Sequence, residues 1–324
     1  MRKLKVVVLM GGKSSEYEIS LATGENVIEN LDKNKYQIKP IIITKRNRWT
    51  YQGKPLEAEK ALKGVNIVFN AMHGQYGEDG TVQGILEFLG VPYTGSDVLA
   101  SALAMDKVKS RELFRLNGLL TPPSLVLSKE IWLKEPRRTQ KIVTKISLPA
   151  VVKPDNLGSS VNVFIIRKRK EFKPAFEKIF KVSDNLLLEK YLDGLEVTCG
   201  ILENFKGQPY CPLPVTEIVP PKGRFFDYQV KYDGQTQEIT PARTDRNLTR
   251  KIQRVAQRAH QILGCRGYSR ADMILRNKKV YLLEVNTLPG LTKASLVPQA
   301  AQVAGLDFPQ LLDKLIELGL GRDK

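Results

Sequence analysis

A chain of 324 residues is long enough for two or three domains around sizeable cores. Hydrophobic residues make up 42% and charged residues 26%, an ordinary globular balance, and no stretch approaches the roughly 20 apolar residues that span a bilayer. The net charge of +17 invites a nucleic-acid reading, but the lysines and arginines are spread along the chain without a zinc-finger, RNA-recognition or basic-zipper pattern, so solvated surface and steering of anionic substrate account for them. Cys199, Cys211 and Cys265 show no metal or redox spacing, and scattered thiols fit a reducing cytoplasm. His73 and His260 are the only histidines, so no Cys/His nucleophile pair is evident. The apolar start Leu4–Met10 is too short for a signal peptide and runs into Gly11-Gly12 instead of a cleavage site, which predicts a cytoplasmic, membrane-free protein.

The first segment alternates strand and helix. Leu4 to Met10 reads as a buried strand, Ile19, Ala22, Ile28 and Leu31 as a helical stripe, Tyr36 to Ile43 and Val65 to Ala71 as strands, and Thr81 to Leu89 as a helix closed by Gly90 and Pro92. This alternation predicts a parallel sheet with helices on its faces and ligands beyond the carboxyl ends of the strands. Both Gly11-Gly12 and the stretch from His73 to Gly80 fall on that edge. A helical stretch runs from Ser96 through Leu116, followed by a loop at Thr121-Pro122-Pro123. Residues 132–147 are basic and irregular and read as a surface connection. Strands follow at 149–153, 163–166 and 185–190, with a helix at 171–180. Antiparallel-looking strands, a long polar loop from Pro220 to Arg243, a helix from Asn247 to Leu263 and two final helices complete the chain.

Chemistry concentrates near the C-terminus. The polar run Arg276-Asn277-Lys278-Lys279 reads as the turn of a hairpin between Met273-Ile274-Leu275 and Val280-Tyr281-Leu282-Leu283. With an odd-numbered loop centred on Lys278, Asp272 lies opposite Glu284 and Arg270 opposite Asn286, while Leu283 and Val285 face the core. Three hard oxygen ligands and a guanidinium then share one patch, a set suited to Mg²⁺ bound jointly with substrate phosphates. Upstream, Lys153 precedes Gly158-Ser159-Ser160, where small residues let backbone N–H groups turn toward phosphate oxygens. Alone, Gly-Ser-Ser is a plain turn more often than a phosphate clamp, and the nearby Lys153 and the hairpin patch bring the two readings level. It lacks the Lys-Ser/Thr that ends the common nucleotide loop, and Gly11-Gly12 does not complete the dinucleotide fingerprint.

Together these motifs resemble the D-alanine–D-alanine ligases, members of the ATP-grasp superfamily, over nearly the full length. The matching pieces run in order: Ser15 to Ser20 after the glycine pair; His73-Gly74 with Gly77 to Thr81; Tyr93 to Ser96; Met105-Asp106-Lys107; Val152-Lys153-Pro154 with Gly158 to Val161; Glu189 to Leu192 with Gly194 and Glu196; Tyr228 with Lys231-Tyr232 and Pro241-Ala242; and the hairpin through Pro289-Gly290 to Pro298. The resemblance implies an α/β ATP-grasp fold: an N-terminal parallel α/β domain over 1–95 carrying the first D-alanine subsite, a small central α+β domain over 96–190 with the phosphate loop, and a C-terminal α+β domain over 191–324 with an antiparallel sheet, the lid and the metal site. It also implies a homodimer through the N-terminal segment; the spread of charge and the short apolar runs predict no nucleic acid and no membrane partner.

The implied reaction joins two D-alanines at the expense of ATP for peptidoglycan precursor synthesis. One D-alanine carboxylate attacks the γ-phosphate to give an acyl phosphate, and the amine of the second displaces phosphate through a tetrahedral intermediate. On the matching positions, Asp272, Glu284 and Asn286 would hold two Mg²⁺ (or Mn²⁺) ions, and Lys107, Lys153 and Lys231 would neutralise the ATP phosphates. Glu189 with the backbone of Lys190 and Leu192 would read adenine, Glu196 the ribose, and Phe225, beside Phe226, would pack on the base. Arg270 and the Gly290 N–H would form the oxyanion site. Glu16 would bind the first ammonium with His73 beside it, and Ser295 and the Leu296 N–H the second carboxylate. Ser159, Tyr232 and Glu16 would close the lid.

Departures from the family are few. Asn162 stands where glycine is usual, although asparagine tolerates positive φ. Tyr17 replaces a frequently basic residue, and the lid from Asp233 to Thr240 is about one residue shorter than in some relatives. D-lactate and D-serine remain open as second substrates, with Lys231-Tyr232 favouring an amine acceptor.

Overall fold

In a computed structural model, residues 3–158, 162–221 and 236–321 are described, and their strands form three sheets. The first comprises β1 (Leu4–Gly11), β2 (Tyr36–Ile43), β3 (Trp49–Tyr51), β4 (Lys54–Pro55) and β5 (Ile67–Asn70) in the order β4-β3-β2-β1-β5. β1 pairs in parallel with β2 and β5, as the strand–helix alternation predicts, and β3 and β4 extend one edge antiparallel. Both faces of β1 are covered, which is why it is apolar without alternation. Val6, Val8 and Met10 pack with Leu311, Leu315 and Ile316 from the end of the chain, whereas Val7 and Leu9 pack with Leu62 and Leu86. At its carboxyl end Gly11 and Gly12 take φ of +90° and +106°, and a Cβ on Gly11 would collide with the Ile43 carbonyl.

Four helices build this region and its exit: α1 (Tyr17–Asn30), α2 (Ala58–Leu62), α3 (Thr81–Phe88) and α4 (Val98–Met105), followed by α5 (Lys107–Leu116). The stretch read as one helix from 96 to 116 is thus two. Asp106 breaks it, because its carboxylate accepts the Val108 and Lys109 N–H groups at 2.9 Å each and so starts a new helix. Lys107 is thereby placed at a helix N-terminus, its own N–H bonded to the Asp155 carbonyl at 2.9 Å.

The second sheet contains β6 (Ser124–Ser128), β7 (Ala150–Pro154), β8 (Phe164–Ile166) and β9 (Asn185–Lys190), ordered β6-β9-β7-β8 and antiparallel throughout. Residues 132–147 are not an irregular connection. They belong to α6 (Lys129–Lys134) and α7 (Pro136–Lys145), which together with α8 (Phe172–Ile179) cover this sheet. The Ser128 hydroxyl caps α6 and Pro136 opens α7. Val143 and Ile146 are buried, and Trp132 stacks on Phe180 with centroids 5.1 Å apart. The apolar stripe is only two or three residues wide among many cations, so its period is hard to read.

The third sheet has β10 (Leu195–Phe205), β11 (Gln208–Pro212), β12 (Thr216–Val219), β13 (Gln237–Ile239), β14 (Tyr268–Arg276) and β15 (Lys279–Asn286). Its main path is β13-β12-β10-β14-β15, and β11 pairs with β10. β13 lies inside the segment read as a polar loop. The helix α9 (Arg246–Leu263), capped by Asp245 and ended by Gly264 at φ +68°, sets Ile252, Ala256 and Leu263 against Val197 and Ile201. Two last helices, α10 (Leu296–Val303) and α11 (Phe308–Leu320), follow the hairpin, and α11 covers one face of the first sheet.

The β14–β15 hairpin pairs Arg270 with Asn286 and Asp272 with Glu284, the expected register, but not by the expected turn. The turn has two residues, Asn277 and Lys278, at φ +48° and +59°, closed by the Arg276–Lys279 pair. Such a turn alone would put Asp272 out of step with Glu284. A β-bulge between Asp272 and Met273 corrects the parity: Met273 faces Leu282, so Leu283 is the extra residue. Val285 packs in the core as expected, whereas Leu283 does not and lines a cleft beside Glu284.

Candidate active site

Two cavities meet along the exposed face of this hairpin, and Glu284 lines both. The first, about 810 Å³, lies between the second and third sheets. Its apolar wall is Val151, Ile274 and Leu283, and its polar groups include Lys107, Lys153, Glu189, Glu196 and Asp272, with Lys190 and Leu192 at one end. A mostly apolar slot with a few converging charges suits a base at one end and phosphates at the other.

The cations are placed by the backbone around them. Lys107 Nζ donates to the Leu157 carbonyl at 2.6 Å and lies 3.5 Å from Glu284 Oε2. Lys153 on β7 points to the same cleft with Nζ 3.2 Å from Glu189 Oε1. Burial, reinforced by the neighbouring Arg111 charge, brings its amine down to about 8. Glu189 is buried, and its Oε1 also sits 2.5 Å from Arg111 Nη1. These are ion pairs without good hydrogen-bond angles, so Oε1 retains hydrogen-bonding capacity for a ligand N–H.

Asp272 accepts from Arg270 Nε and Nη2 at 2.8 Å each, from Asn286 Nδ2 at 3.1 Å and from Thr198 Oγ1 at 2.9 Å. Among the described residues no three His, Cys, Asp or Glu side chains gather as a metal site. The face carries two carboxylates and one amide, a donor set that fits a divalent ion when phosphates supply the remaining oxygens.

The second cavity, about 910 Å³, brings together Glu16, His73, Arg270, Asn286, Gly290, Ser295 and Leu296 from both ends of the chain. His73 is fixed through both ring nitrogens, Nε2 to Thr23 Oγ1 at 2.8 Å and Nδ1 to Glu78 Oε1 at 3.3 Å. Glu16 is buried beneath the glycines Gly74 and Gly158, on which a Cβ would press toward its carboxylate. The Ser295 hydroxyl accepts the Thr292 N–H at 2.9 Å and makes no cap bond to α10, so that helix begins beside the second cavity without a side-chain cap. Gly290 lies so close that a Cβ would stand 2.9 Å from Ser295 Oγ.

Ser159, Phe225, Lys231 and Tyr232 lie outside the described residues. Asn162 takes φ +58°, the left-handed conformation that glycine usually provides. Lys45 Nζ stands 4.6 Å from the Tyr17 ring centroid, so a cation does approach that position from another strand loop.

Several site residues escaped sequence reading. Arg111 sits four residues after Lys107 on α5, a spacing that marks one helix face, yet it reads as a surface cation. Glu78, in the stretch from His73 to Gly80, holds the His73 ring and accepts the Gly74 N–H at 3.0 Å. Glu238 lines the second cavity, accepts from Gln299 Nε2 at 2.8 Å and is held above the usual carboxylate range by burial.

With this geometry, the chain compares closely with known proteins. Residues 113–317 match the family described as D-ala D-ala ligase C-terminus, and residues 5–62 and 50–96 match D-ala D-ala ligase N-terminus. The chain belongs to the D-alanine–D-alanine ligase family. It is 43% identical over 320 residues to a D-alanine–D-alanine ligase of Syntrophobacter fumaroxidans, covering 98% of each chain. A ligase of Leptospira interrogans is 39% identical, over 98% of this chain and 99% of that one. Among solved structures, the D-alanine–D-alanine ligase of Coxiella burnetii superposes with a TM-score of 0.86 at 29% identity, over 99% of this chain and 95% of that chain. The Bacillus anthracis ligase complexed with ATP gives 0.81 at 36%, over 99% and 98%. VanG, a D-Ala:D-Ser ligase of Enterococcus faecalis, gives 0.85 at 33%, over 98% and 100%. Membership in this family of ATP-dependent ligases accords with the ATP-grasp α/β fold expected from the motifs.

Proposed function

We propose that this chain joins two D-alanines into D-alanyl-D-alanine, converting ATP to ADP and phosphate, and so supplies peptidoglycan precursors. The observation that carries the reading is the meeting of the two cavities at one hairpin face. A slot lined by Lys107, Lys153 and Glu189 abuts a polar cavity holding Glu16 and Ser295, with Glu284 lining both.

In the first step Glu16, with His73 beside it, holds the ammonium of one D-alanine so that its carboxylate faces the γ-phosphate. Lys107 and Lys153, with Lys231 from the lid, neutralise the phosphates, and Glu189, Lys190, Leu192 and Glu196 hold the nucleoside with Phe225. Asp272, Glu284 and Asn286 would hold two Mg²⁺ or Mn²⁺ ions, which when bound neutralise phosphate charge during transfer. In the second step Ser295 and the Leu296 N–H hold the carboxylate of the second D-alanine, whose amine attacks the acyl phosphate carbonyl. Arg270 and the Gly290 N–H stabilise the oxyanion that forms there. Ser159, Tyr232 and Glu16 close the site against water.

On this reading, residues 1–95 contribute the first subsite, 96–190 the phosphate loop and 191–324 the lid and metal face. We also place the enzyme in the cytoplasm, as a homodimer joined through its N-terminal segment. Three unpaired cysteines and the exposed Phe88 on α3 support those two assignments.

Phosphate release measured with ATP and Mg²⁺ tests the activity. Turnover is expected with D-alanine alone and not with L-alanine. Equal or better turnover with D-alanine plus D-lactate or D-serine would overturn the choice of D-alanine as second substrate.

A further inference from the structure

Arg111 is a fully buried arginine, 0% exposed, that the proposed mechanism does not use. Its three donor nitrogens serve two different walls of the nucleotide slot. Nη1 lies 2.5 Å from Glu189 Oε1 at the end of β9, in the second sheet. Nε and Nη2 donate together to the Leu283 carbonyl on β15, in the third sheet, at 3.2 and 2.9 Å. Leu283 is the bulge residue. A bulge leaves one residue outside the ladder, and its buried polar groups need a partner from elsewhere. Arg111 provides it, and the same planar group sets its Nη1 against the carboxylate across the slot. A lysine could occupy either contact but not both, because it lacks the rigid fork.

We infer that Arg111 is a positioning residue for nucleotide recognition: it sets the Glu189 carboxylate and the Leu283 wall at a fixed separation, so that the slot reads the 6-amino group of adenine. The inference rests on the proposed role of Glu189 in reading the base. That role is favoured by the Glu189 oxygen, which has cationic neighbours but no well-directed hydrogen-bond donor. Lys153, 3.2 Å from the same oxygen, has no contact with the Leu283 carbonyl, so among the described residues only Arg111 ties the carboxylate to the opposite wall.

The test compares ATP with purine riboside triphosphate, which lacks the 6-amino group, in the wild-type enzyme and in Arg111→Lys, Arg111→Met and Glu189→Met. Thermal melting of each variant reports folding. For Arg111→Lys, KM for ATP is expected to rise about tenfold, with kcat within twofold and KM for D-alanine unchanged. KM for the analogue should move less than twofold, so the preference for ATP shrinks. Arg111→Met should shrink it further, and Glu189→Met should abolish it. A purely structural role for Arg111 would weaken both nucleotides equally, and that result overturns the inference. If Glu189→Met loses the preference and Arg111→Lys retains it, the inference about Arg111 alone is overturned. If both variants retain it, the reading of Glu189 falls as well.

Discussion

Replacing Arg270 with methionine is expected to slow the enzyme and at the same time tighten its grip on a divalent ion. The guanidinium spans both Asp272 oxygens, with bonds of 2.8 Å each, while Thr198 at 2.9 Å and Asn286 at 3.1 Å take the remaining directions. An ionised carboxylate offers about four acceptor positions, so Asp272 is saturated. A metal ion approaching it must displace a donor, and of the three the guanidinium is the one a dication repels. Two unit charges 4 Å apart interact by about 4 kcal/mol at an effective dielectric constant of 20. Solvent reaches Arg270 and screens this, so a fraction survives, about 1 kcal/mol or roughly fivefold in affinity. Turnover moves the other way. Loss of one oxyanion donor costs about 2.7–4 kcal/mol, roughly 100- to 1000-fold in kcat. Mn²⁺ binding by electron paramagnetic resonance in the presence of ADP, set beside kcat from phosphate release, reads both effects. A kcat within threefold of wild type refutes the oxyanion role. Weaker Mn²⁺ binding refutes the competition at Asp272.

Two further expectations concern the same cleft. Burial holds the Lys153 amine at about 8 against an ordinary 10.5, so between those values the unfolded chain carries a proton that the folded chain lacks, and stability rises with pH across that window. Lys153→Met should flatten that rise in denaturant titrations, and kcat/KM for ATP should fall in the wild type above pH about 8, because only the protonated amine neutralises phosphate; a flat profile to pH 10 would contradict this. Gly194 lies just before β10, where a Cβ would stand 2.6 Å from the Leu275 carbonyl and 2.8 Å from Ile274 Cγ2. Gly194→Ala should therefore cost about 1–3 kcal/mol and raise KM for ATP through Glu196 two residues on, whereas unchanged melting and KM would show that the strand yields freely.

What the sequence disclosed depended on how far each signal reached. The parallel strands Leu4–Gly11 and Ile67–Asn70 are apolar because they are buried on both faces, a property their own residues carry. The split of the 96–116 stretch was legible in principle, since Asp106 is a capping residue, but an aspartate inside a helical pattern signals a cap only when the chain changes direction there. The helices at 129–145 were hidden because their thin stripe faces Phe176 and Phe180, which lie more than thirty residues further on. Short motifs singled out residues that line the two cavities, such as Lys107, Glu189, Arg270 and Ser295, whereas Arg111 and Glu238 contact partners distant in sequence.

The hairpin register was expected from an odd loop and arises instead from an even turn plus a bulge, and the difference bears on how the site works. Strict alternation would send Leu283 and Glu284 to opposite faces of the sheet. On the proposed function, a nucleotide along β15 would need an apolar surface for its base next to an acidic one for its phosphates and their metal ions. The bulge lets two consecutive residues serve one cleft: Leu283 lines it with Ile274 while Glu284 opens into the second cavity. An unpaired carbonyl is the consequence, and the Arg111 fork at 2.9 and 3.2 Å is what makes it tolerable in a buried position. The irregularity, the arginine beneath it and the carboxylate it also contacts are therefore one device, and substituting any member should disturb nucleotide binding before it disturbs the oxyanion chemistry proposed for Arg270.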